Sequence, residues 1–354
     1  MYFNKPVFKM KKAFIVALIG LTAISCSKGD SVGPEGQDGL ITFMADAPGT
    51  RSSFPGTSGL MHWSSYDNLG VYAFKGSAFN TAIVSDLCVI NNESVGTNEG
   101  KFTPKNFLKA SSWFGSNASA SDTYSFYAYY PESGAAATYN GGTVLLNIPA
   151  AQTGEFGRHQ ICSSEAVTMA YADVQKEKYV RFAFKPVSSL IRIRLVLTDD
   201  SSVDEVYIKQ LSLTANNATL CGNCTLTFPH ELTAAATSTG NTHSVNVSLS
   251  TPVKITKNAD GNPYIDAVIL PTSAGVSGNI SFAAYTNTNT RLTIKDKELP
   301  TDGFKAGTRY FLDREISVVI DDESSPDAYY VDGGSAWDGE VENDGAYTDG
   351  GTAW

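Results

Sequence analysis

Leu40-Ile41-Thr42-Phe43-Met44-Ala45 precedes Pro48-Gly49-Thr50-Arg51-Ser52-Ser53-Phe54-Pro55-Gly56, then Trp63, then Leu69-Gly70-Val71-Tyr72-Ala73-Phe74. In the first run Ile41, Phe43 and Ala45 fall on one side at a period of two, which predicts a strand with one buried face. The last run is apolar and aromatic and predicts a second strand. Between them lies a loop with two Pro-Gly turns and one arginine. A strand is therefore tied through an arginine-bearing loop to the body against which it must pack. Cutting that loop would free the strand's tether and let a groove open.

The same pattern continues outward. Strand-like runs recur at Thr81 to Ile90, Tyr124 to Tyr130, Thr143 to Ile148, Val180 to Phe184 and Leu190 to Leu197. They go on at Val206 to Leu213, Thr219 to Phe228, His243 to Leu249, Tyr264 to Leu270, Asn279 to Tyr285, Arg291 to Ile294 and Tyr310 to Ile320. In Leu190 to Leu197 the arginines Arg192 and Arg194 alternate with Ile191, Ile193 and Leu195, the pattern of a half-buried antiparallel strand. No long run follows a helical period. With 31 Gly, 14 Pro, 18 Phe and 17 Tyr in 354 residues, the composition favours short strands and turns. The length favours two domains.

Charge is uneven. Ten of the 36 acidic residues lie in 321–354, which has no Lys or Arg; the rest has as many acids as bases. No basic face for nucleic acid is indicated. The acidic tail repeats itself: Tyr330-Val331-Asp332-Gly333-Gly334-Ser335-Ala336-Trp337 returns as Tyr347-Thr348-Asp349-Gly350-Gly351-Thr352-Ala353-Trp354. Two copies are too few for a solenoid.

The N-terminus reads as an address. Lys5, Lys9, Lys11 and Lys12 precede the apolar run Ala13 to Leu21, and small residues lead to Cys26. The run is too short for a membrane span, and the pattern is that of a bacterial lipoprotein signal cleaved before Cys26. An ordinary secretory signal with an incidental cysteine is the alternative. Met10 is the more usual start for such a signal. Residues 27–39 are polar and Gly-rich, a tether.

Catalysis needs converging acid, base and nucleophile, and no motif supplies them. His62, His159, His230 and His243 show no ligand spacing. There is no nucleophile elbow, phosphate loop or zinc-protease motif. Cys221-Gly222-Asn223-Cys224 has half of a zinc pattern without a second half. A local disulfide or two free thiols fits better, with Cys88 and Cys162 as the other body cysteines. No metal, cofactor or enzymatic activity is expected.

Several stretches, in order, carry a resemblance. They are Ile41-Thr42-Phe43 before Thr50-Arg51, Trp63 before Asn68 to Phe74, Phe126 to Pro131, and Ile148 to Thr153. Phe182 to Leu190, Ala267 to Pro271 and Phe304 to Tyr310 follow. The set resembles the fimbrillin family, the lipoprotein-derived subunits of type V pili. That resemblance implies an all-β fold of two tandem antiparallel β-sandwich domains of transthyretin-like topology. The division would be a signal peptide (1–25), a propeptide with tether and first strand (26–51), an N-terminal sandwich (52–178), a C-terminal sandwich (179–320) and an acidic Gly-rich tail (321–354). It further implies an outer-membrane lipoprotein at the cell surface, lipidated (palmitate) on Cys26. An Arg-specific protease would cut between Arg51 and Ser52. The donor-like first strand, with Leu40, Ile41, Phe43 and Met44, would leave, and a C-terminal strand of another subunit would fill the groove. The partners are thus other fimbrial subunits, in a homo- or heteropolymer supporting adhesion. The alternative is a surface lipoprotein adhesin or glycan-binding module that does not polymerise, using aromatics such as Trp113 and Tyr139.

Overall fold

Short β-branched and aromatic runs, punctuated by Gly, Asn and Pro, become strands almost throughout. The computed structural model describes residues 39–46, 62–76, 84–108, 110–114, 118–131, 139–140, 142–235, 240–318 and 348–349. The first strands are β1 (Thr42–Asp46), β2 (Asn68–Lys75), β3 (Val84–Ile90), β4 (Glu99–Pro104) and β5 (Thr123–Tyr130). Next come β6 (Tyr139–Asn140), β7 (Thr143–Ile148), β8 (Ala151–Thr153), β9 (Cys162–Ser164) and β10 (Val167–Ala170). Helix α1 (Tyr171–Glu177) leads to β11 (Tyr179–Phe182), β12 (Phe184–Pro186), β13 (Ser189–Leu197) and β14 (Glu205–Ala215). Then follow β15 (Gly222–Thr227), β16 (Glu231–Ala234), β17 (Ser244–Thr256) and β18 (Tyr264–Ile269). The last are β19 (Asn279–Thr286), β20 (Arg291–Glu298), β21 (Thr308–Ile316) and β22 (Thr348–Asp349).

The fold is all-β. One large sheet runs β11-β1-β4-β3-β2-β5-β9-β12, with β10 also on β5. Three smaller sheets run β18-β13-β21-β22, β20-β19-β14-β17-β8 and β16-β15-β7-β6. Most pairs are antiparallel, as expected, but β1–β11, β13–β21, β17–β8 and β21–β22 are parallel. Long connections make this feasible, because parallel neighbours cannot be joined by a hairpin.

The position expected to divide two domains, 178/179, is not a break in pairing. Beyond it, β11 pairs with β1 and β12 with β9 in the large sheet. Before it, β7 pairs with β15 and β8 with β17. The physical reason lies in α1. This helix ends at Lys178 in the left-handed conformation (φ 58), which turns the chain sharply back into the first sheet. Its seven residues bury only Val174, too weak a pattern to be read from sequence.

Two apolar clusters form. One holds Ile41, Phe43, Ala45, Trp63, Phe102, Trp113, Phe126, Val180 and Phe182 under the large sheet. The other joins the C-terminal strands to the opposite face of that sheet, where Tyr72, Phe74, Tyr127 and Tyr129 meet Phe228 and its neighbours. Strand β13 departs from the half-buried reading. Arg192 is 9% exposed, bonded to Asp266 at 2.7 Å and stacked against Tyr264 and Phe311 (5.1 and 5.7 Å). Aromatic cover dries this face at Arg192, while Arg194 and Val196 farther along it stay half-buried.

Candidate functional site: the first strand and its slot

The alternation read from the sequence sets the site. Ile41, Phe43 and Ala45 are completely buried, while Leu40, Thr42 and Met44 are half-buried and Asp46 is exposed. The strand is not at an edge. It lies between β4, antiparallel, and β11, parallel. Phe43 stands opposite Phe102 and Val180, Met44 opposite Lys101 and Arg181, and Ala45 opposite Gly100 and Phe182. At the strand's beginning, Ile41 N–H donates to Leu108 O (3.2 Å) and Thr42 N–H to Lys178 O (3.0 Å).

Each inward side chain has its own receptor. Phe43 packs edge-on to Trp113 (5.0 Å), stacks on Phe182 (5.8 Å) and tilts towards Phe126 (6.2 Å). Trp113 is held by its indole N–H, which donates to Phe107 O at 2.8 Å. Ala45 lies under Trp63, whose Nε1 donates to the Ala45 carbonyl at 3.2 Å. Across the ladder Gly100 leaves room for that indole; a Cβ there would come within 2.4 Å of Phe102 and 2.7 Å of Trp63 Nε1. The receptors therefore run from a large aromatic site at 43 to a small one at 45. Burial of Ile41 and Phe43 contributes about 1.5–3 kcal/mol each, a large share of the 5–15 kcal/mol typical of a domain.

The outward face is charged. Arg181 meets Asp46 at 2.9 Å and Glu99 at 2.5 Å, and Lys101 meets Glu93 at 3.1 Å. The bond to Asp46, more than the partly opposing loss of water, raises the Arg181 pKa. If β1 left, it would expose the backbone edges of two strands at once, with an apolar trough between them. Such a slot invites a replacement strand.

Cys26, Arg51 and Ser52 lie outside the described residues. So do residues 1–38 as a whole and the tail apart from Thr348 and Asp349, which pair in parallel with Thr308 and Arg309. Leu40, Ile41, Phe43 and Met44 come together as one strand. Trp113, expected as an exposed aromatic, is wholly buried, because it forms the roof over Phe43. The side chain of Tyr139 is outside the described residues. Sequence reasoning gave no role to Trp63, Gly100, Lys101 or Arg181. The alternation of Val180 and Phe182 marked β11 as a strand, but no local signal marks a parallel pairing with residues more than a hundred positions away.

Cys88, Cys162, Cys221 and Cys224 are buried free thiols, which decides between the disulfide and thiol readings of Cys221 and Cys224. Burial pushes the Cys221 thiol up to about 11 and Cys224 to about 12. Among the described residues no group of three or more His, Cys, Asp or Glu could hold a metal ion, and no helix is long and apolar enough to cross a membrane.

No curated protein matches the chain. Among solved structures, a candidate cell adhesion protein from Bacteroides uniformis is similar at 15% identity and a TM-score of 0.48, over 82% of this chain and 98% of that one. Another from Bacteroides ovatus is similar at 15% and 0.48, over 82% and 95%. A fimbrial protein from Bacteroides vulgatus is similar at 13% and 0.37, over 74% and 92%. Residues 50–325, most of the sequence, match the family described as fimbrillin-like. Because that match spans well over half of the chain, the chain belongs to the fimbrillin-like family.

Proposed function

We propose that this protein is a fimbrial subunit that polymerises by exchanging β1 for a strand of another subunit. The family is structural rather than enzymatic and belongs to the cell surface. The finer reading is export as a lipoprotein acylated on Cys26, cleavage by an Arg-specific protease between Arg51 and Ser52, and strand exchange. One observation carries it. The strand preceding the arginine loop is an interior strand with fully buried Ile41, Phe43 and Ala45, so its loss leaves a one-strand gap bounded by two open edges. Arg51 falls between β1 and β2, where a cut would sever the tether and spare the ladder. Cleavage alone leaves β1 docked; a competing strand must displace it. The non-polymerising glycan-binding alternative loses Trp113 as its platform, because that side chain is buried.

The test is the N-terminal residue of the protein on cells, beside that of Arg51→Ala. The parent is expected to begin at Ser52 in assembled polymer. The variant is expected to fold, to stay lipidated on Cys26 at the membrane, and to remain unassembled. An Arg51→Ala protein that still begins at Ser52 and assembles would overturn cleavage as the switch.

A further inference from the structure

We propose that the end of the body where β1 begins, bearing Leu40, Phe107, Leu108 and Tyr179, seats among the lipid headgroups of the membrane that holds the precursor. This rests on the reading of Cys26 as the acylated residue and adds a second, non-covalent contact to it.

Apolar side chains gather at this end. Among the described residues eight large apolar side chains are exposed, and Phe107 (37%), Leu108 (44%) and Tyr179 (42%) are three of them. The start of β1 brings them together. Ile41 N–H bonds Leu108 O on one flank, and Thr42, whose N–H bonds Lys178 O, stands opposite Tyr179 on the other. Half-buried Leu40 is the next residue back along the strand. An apolar cluster of this kind, rimmed by polar residues, marks a contact surface. Nor is it a loose loop. Asp86, itself buried, accepts from the N–H groups of Asn106 (2.7 Å) and Phe107 (2.8 Å), and Trp113 Nε1 donates to Phe107 O (2.8 Å). With Leu108 O also held by β1, the turn is fixed while its apolar side chains stay outside.

Lipid is the occupant that the chain itself selects. Only residues 27–38 separate Cys26 from Gly39. A flexible Gly-rich tether of that length has a root-mean-square span of about 20 Å. An anchored precursor therefore holds this end close to the bilayer, at an effective concentration on the order of millimolar, so that even a weak patch is occupied. The tether offers only Val32 and Pro34 as apolar residues, too few to cover the patch itself. Four side chains also fall far short of the roughly 800 Å² per partner of a stable protein interface. Lys105 and Lys178, both exposed, border the patch and suit anionic headgroups. Tyrosine is enriched at that interface. Seated in this way, β1 runs outward from the membrane, and the chain leaves it at Asp46, towards the arginine loop, on the side away from lipid.

The experiment uses the uncut acylated chain, from Cys26 onward, in phosphatidylethanolamine–phosphatidylglycerol vesicles. A polarity-sensitive fluorophore is attached through Leu108→Cys. In a second protein it is attached through Tyr66→Cys, at the other end of β1, in the turn after Trp63, whose indole reaches the Ala45 carbonyl. The four described native thiols are buried. Lipids brominated near the headgroup are expected to quench the label at 108 about twofold or more beyond the label at 66. Tyr179→Asp combined with Lys105→Glu is expected to abolish that difference at an unchanged melting temperature. Equal quenching at 108 and 66 in the acylated protein would overturn the proposal and leave acylation standing, and this comparison needs no disruptive variant to fold. A difference that persists in the folded double variant would overturn the assignment to these residues. A label at 108 that is shielded without quenching, in chains that cross-link as pairs, would give the face to a second copy and overturn the membrane seat. Membrane-derived protein with no acyl chain on Cys26 would overturn the anchor and the seat together.

Discussion

At the scale of single residues, the features that matter are small exceptions to the apolar pattern. Glu165 is one. Lys185 (3.0 Å) and His230 (2.9 Å) converge on its carboxylate, and their contacts hold it below its ordinary pKa. It ties the large sheet to the turn between β15 and β16. A carboxylate with a depressed pKa lends stability above its ordinary value, and loses it as pH falls through the depressed one. Glu165→Gln is therefore expected to melt slightly below the parent at neutral pH. The gap should close as pH drops beneath about 4, and should stay small throughout because Glu165 is exposed. Melting temperature against pH for the two proteins checks this. A gap that widened in acid would contradict it. Gly100 is another such exception: its missing side chain makes the narrow site at position 45, a role that glycine's usual reading as a turn former hides.

At the scale of elements, β1 behaves as part of the core rather than as a surface strand. Phe43→Ala removes a ring that touches Trp113, Phe126 and Phe182. Such a truncation costs about 3–5 kcal/mol, to be read as a lowered denaturant midpoint in the uncleaved chain; a loss below 1 kcal/mol would mean that the strand packs loosely. The period of two made this element legible: Ile41, Phe43 and Ala45 were assigned to the buried face from spacing alone. The same alternation marked β11 and β13, whereas β2, β5, β7 and β14 were legible as apolar, β-branched and aromatic runs. Strand β4 was not, because Glu99-Gly100-Lys101-Phe102-Thr103-Pro104 mixes charges, glycine and proline and places a single large apolar residue inward. Its companion β11 was legible as a strand but not as a neighbour, since pairing over such a separation is fixed by the chain's return through α1, not by composition. The slot is thus partly legible: the strand that fills it could be read, and of the two that form it β4 could not and β11 could be read only as a strand, not as a neighbour.

At the scale of the whole molecule, the described strands interlock across residue 178. Phe228, before β16, packs against Tyr127 at 5.2 Å, Tyr72 at 6.0 Å and Tyr129 at 6.4 Å, pinning the small sheet to the large one. Phe228→Ala is expected to lower stability by about 3–5 kcal/mol. The loss should register equally in tryptophan fluorescence, where Trp63 and Trp113 report the first cluster, and in far-ultraviolet circular dichroism, which reports every strand. Melting curves by the two probes that separate in the parent would show that the clusters unfold independently.

The pairing of β1 on both flanks also has a mechanical consequence. A force applied to the chain at Gly39 runs along the strand, so the hydrogen bonds to β4 and β11 are loaded together in shear. Peeling from an edge would instead break them in succession. Survival under tension depends on the rate of that rupture rather than on equilibrium stability. An uncut precursor pulled by its N-terminal end therefore resists as a bolt resists being drawn lengthwise from its housing.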